Sequence, residues 1–439
     1  MPLLVIALLL FITNQAAQPA VDDPQAHARR LVTALTAREF GTIEAEFTEQ
    51  MKTALPAGRL AASWTGVQGQ LGALKSCAPD SRLRTVDDKR MVITTCEFER
   101  TRVDVQFAFD RDNKISGFSI RPAAAPVVPY TPPSYAASGT FTEADVIVGG
   151  PEWPLPGTLT LPNGNGPFPA LVLVHGSGPN DRDETLGANK PFKDLALGLA
   201  SRGIAVLRYE KRSKVFAPKM AASPSVTVKE EAIDDVAEAI AALKKQPKID
   251  QARIFVLGHS LGGTLIPRIA AANPSIAGAI VMAGSARPIE DIIVEQTRYL
   301  ALADGTISPA EQEQIDAASK ARAEIKALTA QDVTAGRQVF NAPAGYWLDL
   351  KGYDPAAAAA SLKTRLLVLQ GERDYQVTME DFARWKAALD GRANVTFIKY
   401  QALNHLFIAG TGKSLPAEYS VASHVYEPVI GDIADWIKR

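Results

Sequence analysis

The chain is expected to fold as an α/β protein: a mostly parallel sheet with helices on both faces, preceded by a small α+β domain. Three observations carry this expectation. Between residues 139 and 439, short apolar runs alternate with amphipathic segments. One run, Arg253-Ile254-Phe255-Val256-Leu257, leads into Gly258-His259-Ser260-Leu261-Gly262, which sets a serine between a strand and a helix. Before residue 122, helical spacing gives way to strict apolar–polar alternation.

A chain of 439 residues exceeds the usual single core, so two domains are expected. The formal net charge of −1 supplies no basic field for nucleic acid and points to a small or neutral substrate. Leu3 to Ile12 is almost wholly apolar, and Ala16, Ala17 and Ala20 follow it. The run is short for a bilayer span and reads as a signal peptide over 1–20, with no stable membrane insertion after its removal. No Lys or Arg precedes it, which leaves a buried first strand or an uncleaved anchor as the other readings. Cys77 and Cys96 are the only cysteines, and an exported protein, periplasmic or secreted, is expected to pair them. Two unrelated buried thiols are the alternative.

From Asp22 to about Leu74, Ala28, Leu31 and Leu35, then Phe40, Ile43 and Phe47, recur at helical spacing. Residues 90–99 and 101–109 alternate instead, Asp110 to Lys114 is turn-like, and Ile115 to Ile120 makes a further strand. A helix-then-sheet domain over 21–121 follows, with no constellation for chemistry. Its element order resembles the nuclear-transport-factor-like superfold. Pro122, Pro126, Pro129, Pro132 and Pro133 mark a stiff linker over 122–138.

The second domain, 139–439, opens with strands around Val146–Val148 and Thr158–Leu161, joined as a hairpin. Ala170–Val174 and Gly203–Leu207 are buried-strand runs separated by a helix over Pro191–Ser201. Thr227 to Lys245 is amphipathic: Ile233, Val236, Ile240 and Leu243 form one stripe, and Lys229, Glu230, Glu231, Asp234 and Glu238 the other. Strands Ile276–Ala283, Arg365–Leu369 and Val395–Tyr400 complete the sheet, and Tyr426–Ile437 is the terminal helix. A cap is expected over about 286–360, because Ser308-Pro309-Ala310-Glu311 is a capping box with proline at the first helical position. Asp304 to Glu311 imitates the end of a calcium loop, but Leu300 and Leu302 occupy the first ligand places, so no metal is assigned.

The chemistry is read from four loops. Ser260, squeezed between strand and helix, presents an exposed hydroxyl, and the amide of Leu261 at the helix start can donate to an oxyanion. A hydroxyl needs a base, and the base needs an acid to fix its tautomer. The strand over Arg365–Leu369 runs into Gln370-Gly371-Glu372-Arg373-Asp374, and Val395–Tyr400 runs into Gln401-Ala402-Leu403-Asn404-His405. Asp374 is the candidate acid, with Glu372 as its rival, and His405 the candidate base. His424 precedes the terminal helix, His27 lies in the other domain, and His259 sits beside the nucleophile where it cannot turn back to serve it. His175-Gly176-Ser177-Gly178 follows a buried strand, and the Ser177 amide is the candidate second oxyanion donor. The His175 ring reads as structural. Asp181, Arg182 and Asp183 are expected to pair among themselves or with Arg208 to hold that loop, a charged substrate clamp being the alternative.

The order Ser260, Asp374, His405, together with His175 to Glu184, Arg208-Tyr209-Glu210-Lys211-Arg212 and Gly258 to Gly263, resembles bacterial esterases of the α/β-hydrolase superfamily. The likeness is to the branch near dienelactone-hydrolase-like and prolyl-oligopeptidase-like enzymes. It implies hydrolysis of a small-molecule carboxylic ester, of short or medium acyl chain, through an acyl-serine, with no cofactor. A peptidase or amide hydrolase using the same triad, and a non-catalytic binding protein, are the other readings. Glu210 replaces the aspartate more usual after tyrosine in such enzymes, and Ser213-Lys214-Val215 replaces a glycine-bearing turn.

Overall fold

The computed structural model describes residues 23–86, 89–99, 102–123, 129–221, 223, 226–340 and 342–439. The apolar run over Leu3–Ile12 lies outside them. The chain divides into two compact units, Met1–Pro126 and Val127–Arg439.

In the first unit, helices Pro24–Thr36, Phe40–Glu44, Glu49–Ala54 and Arg59–Leu71 precede an antiparallel sheet. The first begins where the Asp23 side chain accepts from the Gln25 amide, with proline at the first position. The strands are β1 (Leu74–Cys77), β2 (Arg82–Val86), β3 (Lys89–Phe98), β4 (Arg102–Phe109) and β5 (Ile115–Pro122), ordered β1-β3-β4-β5 with β2 also on β3. Leu31, Leu35, Trp64, Val105 and Phe107 fill its core. The short, polar β1 and β2 were not predicted from alternation. Cys77 stands directly opposite Cys96 across β1 and β3, and a disulfide joins them.

The second unit is built on β6 (Phe141–Val148), β7 (Leu155–Pro162), β8 (Phe168–Val174), β9 (Ala205–Tyr209), β10 (Ile249–His259) and β11 (Gly278–Met282). A two-residue pair, β12 (Gln338–Val339) with β13 (Ala342–Pro343), lies apart, and β14 (Arg365–Gly371) and β15 (Val395–Tyr400) close the sheet. The order is β15-β14-β11-β10-β8-β9-β7-β6, antiparallel at β6, β7 and β9, and parallel from β9 through β15. Alternate residues explain why both faces are covered. Val172, Val174, Val256, Val281 and Val368 enter one core. Leu171, Leu173, Leu257, Ile280 and Leu369 enter the other. A strand buried on both faces must be apolar throughout, which is what these runs are.

Two expectations are corrected. The second unit starts before Gly139: Tyr130 donates to Asp194 and Tyr135 to the Val425 carbonyl, so the tail of the expected linker packs onto it. Lys229–Ile233 is a turn of π-helix ahead of the α-helix Asp234–Lys244. The wider turn shifts the register, so Glu231, expected on the polar stripe, is buried and pairs with Lys211 at 2.8 Å. The cap carries helices Ile289–Ala301, Pro309–Ala327, Ala330–Thr334 and Ala344–Leu350 and, besides them, the β12–β13 pair. Its Ser308–Glu311 capping box is formed, which gives Glu311 a structural partner. No helix among the described residues is long and apolar enough to cross a membrane.

Candidate active site

The residues singled out from sequence converge at the carboxyl ends of β8, β10, β14 and β15. Ser260 has φ 53° and ψ −117°, a left-handed conformation that costs a non-glycine residue about 1–3 kcal/mol. The neighbours over-determine it. A Cβ at Gly258 would lie 2.2 Å from the Gly262 carbonyl oxygen, and one at Gly262 would lie 2.4 Å from that of Val174. Only glycine at both places lets strand, elbow and the end of β8 close on one another. Ser260, Ser177 and Leu261 line one cavity of about 760 Å³, whose cap side is apolar and includes Ile292, Phe340 and Trp347. The amides of Ser177 and Leu261 donate to nothing among the described residues.

His405 Nδ1 lies 2.7 Å from Asp374 Oδ2, and both side chains are buried. Asp374 is oriented in turn: its Oδ1 accepts from the amides of Gln376 at 2.8 Å and Val377 at 3.1 Å, and Oδ2 from Gln370 Nε2 at 3.2 Å. The rival Glu372 points elsewhere and pairs with Lys399 at 2.7 Å. Among the described residues none is hydrogen-bonded to His405 Nε2, so the Ser260–His405 bond is not made here. Such bonds are often long in a free enzyme.

His175 is neutral, as a structural ring should be: burial, the dominant cause, pushes it down to about 4, and it packs against Phe192 and Tyr209. His424 contacts Asp194 at 3.1 Å, and His27 contacts Glu46 in the other unit. The ion pairs of the charged segment after Ser177 include the expected one with Arg208 and others with residues outside the segment. Asp183 binds Arg208 and Lys190, whereas Arg182 binds Glu210 at 2.9 Å, and Asp181 caps the amides of Asp183 and Thr185.

Two features escaped the sequence reading. Glu184 is buried; its Oε1 accepts from the Gly176 amide at 2.6 Å, and its Oε2 lies 2.8 Å from His259 Nδ1. His259 Nε2 reaches the His405 carbonyl at 2.9 Å, with the two rings 4.7 Å apart. Burial would lower the His259 pKa, but the Glu184 charge, that contact and the His405 carbonyl outweigh it and hold it above the ordinary value. Burial would raise Glu184, and His259 reverses that to a lowered value. The second feature is Lys211, whose Nζ lies between the Gly176 carbonyl and Glu231. Neither feature has a local sequence signal, because each depends on loops that meet only in the fold.

Comparison with known proteins agrees with this architecture. Residues 170–409 match the family described as serine aminopeptidase, S33, and residues 28–118 match a family described as a protein of unknown function, DUF3887. The chain is 38% identical to Esterase EstD of Thermotoga maritima over 405 residues, which is 92% of this chain and 93% of that one. Among solved structures, an esterase of Pyrobaculum calidifontis is 16% identical, covering 69% of this chain and 87% of its own, with a TM-score of 0.45. Est1E of Butyrivibrio proteoclasticus is 16% identical, covering 67% and 99%, with a TM-score of 0.43. Sheet order, strained elbow serine and family match lead to one assignment: the chain belongs to the serine aminopeptidase S33 family of α/β-hydrolases.

Proposed function

We propose that the protein is a serine carboxylesterase. Ser260 attacks the ester carbonyl, His405 Nε2 takes the hydroxyl proton and returns it to the leaving alcohol, and Asp374 fixes the His405 tautomer. The amides of Ser177 and Leu261 hold the oxyanion, and water then releases the acid from the acyl-serine. The observation that carries this reading is the strained Ser260 on the wall of a largely apolar cavity, with a buried His405–Asp374 pair in the loops after β14 and β15 at the same sheet edge. The 38% identity to an esterase supports the ester as substrate class. A cavity of about 760 Å³ suits a short or medium acyl chain with its alcohol, since small-ligand pockets run from about 300 to 1,000 Å³.

The test is turnover of p-nitrophenyl esters of increasing chain length by wild type and Ser260→Ala. Wild-type turnover that survives Ser260→Ala would remove Ser260 from the mechanism. The family description favours one second reading, an aminopeptidase on the same triad. Aminoacyl p-nitroanilides assayed beside the esters separate the two. Export to the periplasm or medium is part of the proposal. The Cys77–Cys96 disulfide supports it, because such bonds persist in oxidising compartments. Mass spectrometry of the mature chain, expected to begin near residue 21, checks it.

A further inference from the structure

Lys211 is 2% exposed, and the reaction as described does not use it. A buried ammonium costs several kcal/mol unless it is paired and hydrogen-bonded. Its pairing is informative. Lys211 Nζ lies 2.8 Å from Glu231 Oε1 and donates at 2.8 Å to the carbonyl of Gly176. Asn180 Nδ2 donates to that same carbonyl at 3.1 Å, and the Lys211 amide donates back to the Asn180 carbonyl at 3.2 Å. The Gly176 oxygen is therefore held from two directions. The amide on the other side of the same residue, Gly176 N–H, is held by Glu184 at 2.6 Å.

The Gly176 carbonyl and the Ser177 N–H belong to one peptide group, and its bond is trans. In a trans peptide these two groups point in opposite directions. Pinning the carbonyl on Lys211 aims the Ser177 N–H away from Lys211. Ser177 stands on the cavity wall with Ser260, while Lys211 is absent from that wall. An ammonium on the carbonyl oxygen also draws electron density towards it and strengthens the N–H as a donor.

We propose that Lys211 is a positioning residue for ester hydrolysis, which orients and polarises the Ser177 N–H by holding the Gly176 carbonyl. This rests on the esterase reading above. A pair that served stability alone would act equally in ground and transition states. A device that aims an oxyanion donor acts where negative charge develops, so it appears in kcat rather than KM.

Lys211→Met is expected to lower kcat on p-nitrophenyl butyrate about 10- to 100-fold, with KM changed less than threefold. The loss is smaller than the roughly 10²–10³-fold for deleting a donor outright, because Asn180 still holds the carbonyl. Affinity for an alkyl trifluoromethyl ketone should fall in the same proportion. In that adduct Ser260 Oγ bonds the ketone carbon, the carbonyl electron pair becomes the oxyanion, and the hydroxyl proton passes to His405. Fluorophosphonate titration counts the competent enzyme in each preparation. Lys211→Met leaves Glu231 buried without its cation, so Lys211→Met/Glu231→Gln, compared with wild type, supplies the same measurement in a chain without an unpaired charge. A folded variant that keeps kcat within threefold, or loses kcat without the matching loss of ketone affinity, overturns the proposal. Absence of p-nitrophenyl ester turnover in fluorophosphonate-reactive wild type would instead bring down the esterase reading beneath it.

Discussion

Two buried histidine–carboxylate pairs meet at the elbow, their rings 4.7 Å apart, and they are built for different work. His405 spends Nδ1 on Asp374 and keeps Nε2 free of any partner among the described residues. His259 spends both nitrogens, Nδ1 on Glu184 and Nε2 on the His405 carbonyl. Nδ1 meets the Glu184 carboxylate in an ion-pair contact, and that negative charge holds the ring pKa above its ordinary value. The first pair leaves a lone pair for proton transfer. The second is an ion pair that has nothing left to transfer, and it ties together the Gly176 loop, the elbow and the loop that carries His405. The same two residue types thus give a candidate base in one place and a brace in the other, and the difference lies in what the second nitrogen touches.

Breaking the first pair should have the largest effect. His405→Ala is expected to lower kcat at least about 10³-fold, and Asp374→Asn by up to about 10⁴-fold through the wrong tautomer. Because Asn can keep the oxygen that accepts from Gln376 and Val377, Asp374→Asn should lose little stability in urea titration. Glu184→Gln should show the reverse pattern. It leaves the His259 imidazolium buried without its counter-ion, at a cost of about 3–5 kcal/mol, and the double variant Glu184→Gln/His259→Gln should recover part of that. His259→Gln alone is expected to reduce kcat only about tenfold, by loosening the loop that carries His405. A His259→Gln enzyme as inactive as His405→Ala would erase the distinction between base and brace.

The His405–Asp374 pair was legible in the sequence and the His259–Glu184 pair was not. Ser260, Asp374 and His405 each follow an apolar strand in a fixed order, a local signal repeated three times. The partners of His259, Glu184 and His405, lie 75 and 146 residues away and come within reach only when β8, β10 and β15 align. Glu231 was misplaced for a related reason. A 3.6-residue period read across Thr227–Lys245 cannot anticipate a π turn at Lys229–Ile233 that rotates its side chain towards Lys211. The sheet, whose strands are buried on both faces, needed no such long-range information.

The smallest expected effect separates the brace from an inert contact. Glu184 has a folded pKa below its ordinary 4.5, and His259 one above its ordinary 6.5. The carboxylate contributes stability that is present above about pH 4.5 and lost as pH falls through the lowered folded value. The imidazolium contributes stability that is complete below about pH 6.5 and lost as pH rises through the raised folded value. Both contributions hold together only between these limits, with a slope outside them of up to about 1.4 kcal/mol per pH unit. Asp374 reinforces the charge on His259. The difference in unfolding free energy between wild type and Glu184→Gln/His259→Gln, measured in urea from pH 4 to 9, should therefore be flat from about 4.5 to 6.5 and fall on the alkaline side. A difference that instead rises from acid to alkaline through about pH 6.5 would mean that the His259 ring is neutral in the folded state.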